Sequence, residues 1–391
     1  MNEGFIALHV GAGHHSMEKK HAYKTLCKKS CQKVTIMLKD GCSAVEAVSA
    51  AVVSLENSLL TNAGRGSNLS LSRKVECDAS IMDGRTLNFG AVGALSDYMN
   101  PVLVAKELLL HQNNENLSLH RISPCVLVGE GASQWARSRG LKSIKSDLLV
   151  SENALHTYNK YKRKVEEAEN DPRKFLQREP ANNETLHSEA KEMEKNPCIS
   201  SEAWFPGDES LKLDTVGAVG MDCCGNVASA VSSGGIVLKH PGRLGQAALY
   251  GCGSWAQNSL SSTEPAVAVT TSGNGEHLIK TMFARTCAET LISNTDGVTG
   301  LHYVFHTKFL ESPFLIHTSE KLAGVLAMKF DPVSNSVEVL WAHNTATMVL
   351  GYMSTHVTKA VTMFSTLPSS VDPGHKPLIQ GSLLKLHNKI T

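Results

Sequence analysis

Leu213-Asp214-Thr215-Val216-Gly217-Ala218-Val219 decides the reading of this chain. Residues 215–221 read as a strand of small residues, and 227–231 as its return across a Gly225-Asn226 hairpin turn. What precedes the strand is of another kind. Residues 160–195 hold nine basic, nine acidic and only nine apolar side chains, and through about 210 the sequence has no apolar period. The first part, 158–169, is expected as an exposed, charge-laced helix and the remainder as a mobile surface segment. A threonine therefore opens a strand directly after a segment able to move. As an internal residue it is an ordinary β-former, so its weight depends on what else the chain supplies.

Three loops supply it. In Thr61-Asn62-Ala63-Gly64-Arg65-Gly66-Ser67, the two glycines let the backbone turn and expose N–H groups, and the Asn62 amide is a donor suited to an oxyanion. In Ser232-Ser233-Gly234-Gly235, followed by Pro241-Gly242-Arg243-Leu244-Gly245-Gln246, hydroxyls lie near a strand end, and Arg243 suits bidentate carboxylate binding. Thr271-Ser272-Gly273-Asn274-Gly275-Glu276 leaves one strand and opens a helix, where free N–H groups favour an anion. Each loop alone is a turn.

Together with Val75-Glu76-Cys77-Asp78-Ala79-Ser80-Ile81-Met82-Asp83-Gly84, these segments resemble the N-terminal nucleophile hydrolases of the type-2 asparaginase family, from His9 to about Gly351. The stretch Leu238-Lys239-His240-Pro241-Gly242-Arg243-Leu244-Gly245-Gln246-Ala247-Ala248-Leu249-Tyr250-Gly251-Cys252-Gly253 is most similar to the threonine aspartase branch. The resemblance implies an α+β fold, a four-layer αββα sandwich. It implies self-cleavage between Asp214 and Thr215 into an α part, 1–214, with a mobile charged insert at about 157–210, and a β part, 215–391, that starts with the nucleophile. The two parts would form one combined αββα domain, an αβ heterodimer open to pairing into a heterotetramer. The implied activity is that of a threonine endopeptidase cutting proteins after an exposed aspartate, with nuclear regulators such as mixed-lineage leukaemia histone methyltransferases as substrates. It would work in cytoplasm and nucleus and need no cofactor or metal.

The residue roles follow the family pattern. A hydroxyl is a poor nucleophile without a base. Self-cleavage frees the α-amine of Thr215, whose ordinary pKa of about 7.7–8.0 suits it to take the proton of its own hydroxyl. Ser233 carries over as the hydroxyl that orients the nucleophile, keeping the hydroxyl but not the methyl of the threonine most relatives have. Asn62 carries over to the oxyanion hole. Ser272, Gly273 and Gly275 match the substrate-binding TGxG segment, again with Ser for Thr, and Arg243 is the cation for the substrate carboxylate. Small-molecule asparaginases carry an Asp three residues after that arginine, to pair with the α-ammonium of asparagine. Gln246 stands there in this chain. A protein substrate offers only an amide N–H, against which a buried carboxylate would lack its counter-charge. The alternative on the same fold is an asparaginase or isoaspartyl peptidase, and a non-catalytic binding protein comes third because Thr215 is present.

The rest of the 391 residues fits that frame. Apolar residues make up 42% and charged residues 19%, enough for a large core, and 38 basic against 37 acidic residues leave a net charge of +1. No basic surplus points to nucleic acid, no apolar run approaches a membrane span, and no secretion signal opens the chain. The ten cysteines have no zinc spacing, and His9, His14 and His15 match no metal motif, so packing and hydrogen bonding are their expected roles. The basic cluster Lys160-Tyr161-Lys162-Arg163-Lys164 fits a nuclear import signal and a solvated helix face equally. Further helices are expected over 17–39, from a Ser43–Glu46 capping box to 55, from Pro101, over 276–292 and over 297–309, and a hairpin over 324–342. The last twenty or so residues read as loosely ordered.

Overall fold

The computed structural model describes residues 3–114, 117–170 and 214–386. Its strands are β1 (Phe5–Gly13), β2 (Cys77–Asp83), β3 (Phe89–Leu95), β4 (Val126–Val128), β5 (Val216–Met221), β6 (Val227–Ser233), β7 (Ser254–Gln257), β8 (Ala266–Gly273), β9 (Ala323–Asp331), β10 (Ser336–His343), β11 (Thr347–Ser354), β12 (Val361–Thr366) and β13 (Leu378–Lys385). Eight join in the order β12-β11-β1-β5-β6-β2-β3-β4, and five in the order β13-β10-β9-β8-β7. Helices α1 (Lys20–Lys39), α2 (Ala44–Glu56) and α3 (Pro101–Asn114) pack against the first sheet. After α4 (Gly129–Ser138), α5 (Glu152–Asn170) and α6 (Gly275–Lys280), α7 (Phe283–Ser293) and α8 (Gly297–Tyr303) pack against the second.

Strand alternation builds the layers. On β1, Ile6 and Leu8 join Cys27, Cys31, Val34, Val48 and Val52 of α1 and α2. Phe5 and Ala7 join Val267, Val269, Leu326 and Met328 of the facing sheet. Side chains at successive positions point to opposite faces, so a strand with layers on both sides is apolar throughout. The result is the αββα sandwich expected from the sequence. Cys27 and Cys31 are buried, and burial pushes the Cys27 thiol up to about 12.

The Ser43–Glu46 capping box forms in both directions: Glu46 N donates to Ser43 Oγ (3.3 Å), and Ser43 N to Glu46 Oε2 (3.1 Å). The helix expected over 158–169 lies within α5, whose Tyr158 and Tyr161 are buried; Lys160 and Lys164 lie over the Tyr161 ring. The remainder of the charged insert, 171–210, falls outside the described residues.

Two expectations are corrected. The helix over 276–292 is two helices, α6 and α7, because Met282 has φ +44 and breaks the ladder between them. The tail is not loose throughout: β13 pairs with β10 from Ser336↔Lys385 to His343↔Leu378 and edges the smaller sheet.

Candidate active site

The β5–β6 hairpin sets the centre. Val216 pairs with Ser232, which brings Thr215, one residue before β5, opposite Ser233 at the end of β6. Thr215 Oγ1 donates to Ser233 Oγ (3.0 Å), which also accepts from Gly235 N (3.0 Å). Gln246 Nε2 donates to Thr215 Oγ1 (3.0 Å). Thr215, Ser233 and Gln246 are all buried, at 3%, 3% and 2% exposure. The hydroxyl thus has an acceptor for its proton and a neutral donor on its lone pair.

Behind the strand, Gly217 has no side chain for a reason. A Cβ there would lie 2.5 Å from His9 Nε2 and 2.8 Å from Thr270 Cβ. His9 Nε2 meets Thr270 Oγ1 at 3.1 Å. Burial, then the charge of His15, lowers the His9 imidazole to about 3, so it is a neutral packing partner across the two sheets.

Arg243 adjoins Gln246 across Gly275. Its Nε and Nη2 donate to Glu276 Oε1 and Oε2 (2.8 and 2.6 Å), a bidentate pair. Burial alone would raise the Glu276 carboxyl, but its bonds to Arg243 and that cation's charge outweigh it and hold the group below its usual range. The end of the guanidinium, Nη1 and Nη2, faces the glycines. A Cβ on Gly235 or Gly245 would lie 3.1 or 3.2 Å from Nη1, and one on Gly275 would lie 2.8 Å from Nη2 and 2.9 Å from Gln246 Oε1. Glycine at these three positions keeps the space beside Arg243 and Gln246 open.

Asp78 holds the loop that carries them. It sits opposite Ser233 in the β2–β6 ladder, and its two oxygens accept from Ala94 N (2.9 Å) and Gly245 N (2.7 Å). Burial raises its carboxyl, while the charge of Lys239 and the two N–H bonds offset that only in part. Glu76 Oε2 accepts from Gly242 N (2.8 Å) on the same loop.

The other expected residues take these places. Asn62 clamps the turn leaving β6: its Nδ2 donates to Gly235 O (2.8 Å), its Oδ1 accepts from Asn68 N (2.9 Å), and its carbonyl accepts from Gly234 N (2.8 Å). One Asn62 N–H is therefore committed to the turn. Ser272 Oγ accepts from Ala12 N (2.9 Å) and so ties β8 to the end of β1. Gly273 has φ +133, and a Cβ there would lie 2.4 Å from Leu322 O. Asp214 is buried at 1% exposure, with its Oδ1 3.4 Å from His15 Nε2.

Thr215, Ser233, Gln246, Gly275 and Arg243 thus form one contiguous cluster. Ser272 and Gly273 sit at a seam between the sheets, where Ser272 meets β1. Glu276, Asp78 and His15 carried no role in the sequence reading. Glu276 and Asp78 lay inside quoted segments, as carboxylates beside a glycine or in a signature strand. His15 gave no signal, because its partners are remote in sequence.

Among the described residues no group of three or more His, Cys, Asp or Glu side chains is placed to hold a metal ion. No described helix is long and apolar enough to cross a membrane.

Comparison with known proteins identifies the family. Residues 2–363 match the type-2 family model described as asparaginase. The chain is 31% identical over 280 residues to an isoaspartyl peptidase/L-asparaginase of Danio rerio, covering 72% of this chain and 73% of that one. It is 35% identical over 249 residues to the Homo sapiens protein of the same name, 64% of each chain. An isoaspartyl peptidase of Salmonella typhimurium is 33% identical over 289 residues, 73% of this chain and 77% of its own. These relatives bear the names of the small-molecule and isoaspartyl activities, which favour the alternative reading over the threonine aspartase branch.

Proposed function

The chain belongs to the type-2 asparaginase family of N-terminal nucleophile hydrolases, and on that premise we propose that it cleaves itself between Asp214 and Thr215 and then hydrolyses protein substrates after aspartate. The observation that carries the specificity is Gln246. It donates to the Thr215 hydroxyl from the position where small-molecule asparaginases have Asp. A neutral amide next to the nucleophile suits the amide N–H of a peptide chain. It offers no counter-charge to the α-ammonium of free asparagine.

The steps follow from the residues. In the uncut chain Thr215 N is a peptide nitrogen, and the hydroxyl proton is directed to Ser233. Attack of Oγ1 on the Asp214 carbonyl carbon makes a C–O bond and breaks the C–N bond, with the proton passing to the leaving nitrogen. Water hydrolyses the ester, giving an Asp214 carboxylate and returning the Thr215 hydroxyl beside the amine freed in the shift. That amine then serves as base for each substrate turn. The glycine-lined end of Arg243 takes the carboxylate of the substrate aspartate, while Glu276 holds the Nε–Nη2 edge. Nuclear regulators as substrates, and the pairing of two αβ units, belong to this reading through the resemblance to threonine aspartases.

A second reading is favoured by the relatives' names. An isoaspartyl substrate is cut at its side-chain carbonyl and offers its α-carboxylate to the same Arg243. The deciding experiment is a denaturing gel with N-terminal sequencing, followed by assays of the mature protein. Expected are fragments of 214 and 177 residues, the smaller starting at Thr215, with cleavage of an Asp-containing peptide and no turnover of asparagine or isoaspartyl dipeptides. Turnover of the small substrates alone transfers the assignment to the second reading. A Thr215→Val chain that still cuts at this bond sinks both.

A further inference from the structure

We infer that the uncut chain holds its own cut site through His15, in a pocket on the β1–β11 side of the nucleophile, apart from the pair of Arg243 and Glu276. This rests on the proposed self-cleavage and adds a positioning residue to it.

Three observations carry it. The first is contact: His15 Nε2 lies 3.4 Å from Asp214 Oδ1, and both side chains are buried, at 0% and 1% exposure. The second is that His15 is fixed. Its backbone N donates to Thr347 Oγ1 (2.8 Å), and its ring Nδ1 meets the same hydroxyl at 2.8 Å. Its Nε2 lies 3.3 Å from Val10 O, and the ring stands edge-on to Tyr23 at 5.0 Å. Val10 O only accepts, so Nε2 carries the proton and donates it there, with Asp214 Oδ1 at ion-pair distance from the same nitrogen. The third is that β1 makes room. Its pairing with β11 shifts register between His9 and Ala12, and Gly11 in that bulge has φ +117. A Cβ on Gly11 would lie 2.5 Å from both Cα and Cβ of Asp214. A bulge with a left-handed glycine aims a strand end at a particular neighbour, and here the neighbour is the residue whose carbonyl is attacked.

Fixing the Asp214 side chain fixes the main chain that bears the scissile carbonyl, and attack requires that carbonyl within reach and in line. His15 therefore acts on self-cleavage through Asp214. In substrate cleavage the aspartate is a foreign residue, and Arg243 is its cation. Aspartate would be read twice, by two different pockets.

The test is a time course of self-cleavage of the full chain made by in vitro translation, followed by peptide cleavage once processing is complete. His15→Ala is expected to slow self-cleavage tenfold or more, and peptide cleavage by a smaller factor. His15→Gln, which restores an N–H near the Nε2 position, is expected to recover most of the rate. Thr347→Val, which removes the hydroxyl that orients the ring, is expected to slow self-cleavage in the same direction and carries the test if His15→Ala does not fold. A folded His15→Ala chain that processes at the wild-type rate overturns the inference. So does equal loss of both rates, or a processing defect in Arg243→Ala that His15→Ala lacks. A wild-type chain that never cuts would instead sink the proposed function, which separates the two failures.

Discussion

Gln246 donates its side-chain N–H to the Thr215 hydroxyl at 3.0 Å, and that hydroxyl donates onward to Ser233 at 3.0 Å. Oγ1 has a single proton, so its neighbours must divide into one acceptor and one donor. Asp at 246 would supply a second acceptor and a negative charge at a position only 2% exposed. Gln246→Asp is expected to lower cleavage of an Asp-containing peptide at least tenfold, the equivalent of ~1.4 kcal/mol in the barrier. Any gained turnover of asparagine would come from the restored partner for an α-ammonium. Steady-state assays on both substrates check this, and an unchanged peptide rate removes Gln246 from the specificity argument.

Arg243→Ala removes the cation for the substrate carboxylate. Loss of a charge-assisted bidentate contact costs about 1.5–3 kcal/mol, so cleavage after aspartate should fall roughly ten- to a hundredfold. Arg243→Lys should recover little, because an ammonium cannot span both Glu276 and a substrate carboxylate. Wild-type rates in Arg243→Ala would show that another group reads the aspartate.

Glu276 makes a separate prediction because it holds Arg243 without facing the nucleophile. Glu276→Gln should raise KM more than it lowers kcat, since the fork is loosened in ground state and transition state alike. The carboxyl is held below its usual range. The pair is therefore complete above the ordinary glutamate pKa, and it comes apart as pH falls through the lowered one. Protonation of the substrate aspartate, ordinarily near ~3.9, raises KM of both proteins on that acid side, and the wild type should show a further rise that Glu276→Gln lacks. Parallel KM–pH profiles for the two proteins would exclude the pair as the cause.

Much of this site was legible in the sequence, and the gaps have physical reasons. Loops at strand ends announce themselves through glycine and polar residues, so the segments holding Thr215, Ser233, Arg243 and Gln246 carried weight in combination, though each alone reads as a turn or a strand start. Local signals also served the fold: the Ser43–Glu46 box forms, and the hairpin expected over 324–342 forms as β9 and β10. What escaped depends on distant pairing. Strand β13 has an edge pattern of half-exposed residues, and only its partner β10 makes it a strand. His15 looks like any packing histidine until β1, β11 and the strand start at Thr215 come together. The break at Met282 lies inside an uninterrupted helical pattern, where no glycine or proline marks it.

Asp78 should be among the least tolerant positions. It accepts from Gly245 N and Ala94 N with different oxygens, and Ala94 has φ +50. Asp78→Asn turns one acceptor into a donor facing a backbone N–H. Unpairing a buried group of this kind costs ~1–3 kcal/mol. Because Gly245 adjoins Gln246, activity should fall along with stability. Urea unfolding and peptide cleavage check both, and a stable, active Asp78→Asn would deny the loop this anchor.

Glu56 gives a prediction with a definite sign in pH. It ends α2 beneath the Asn62 loop, is fully buried, and accepts from Val102 N at 3.1 Å. Burial pushes its carboxyl up to about 8, and the hydrogen bond from Val102 N offsets only part of the rise. The unfolded chain loses this proton near the ordinary glutamate value of ~4.3, whereas the folded chain keeps it until about 8. Between those values the folded state binds the extra proton, so this group's contribution to stability declines as pH rises. Glu56→Gln keeps a neutral side chain of the same shape and has no proton to lose. Relative to wild type, its stability should therefore improve steadily from pH 5 to pH 8, as read from urea midpoints at each pH. A difference between the two proteins that stays constant over that range would mean Glu56 is already ionised in the folded chain.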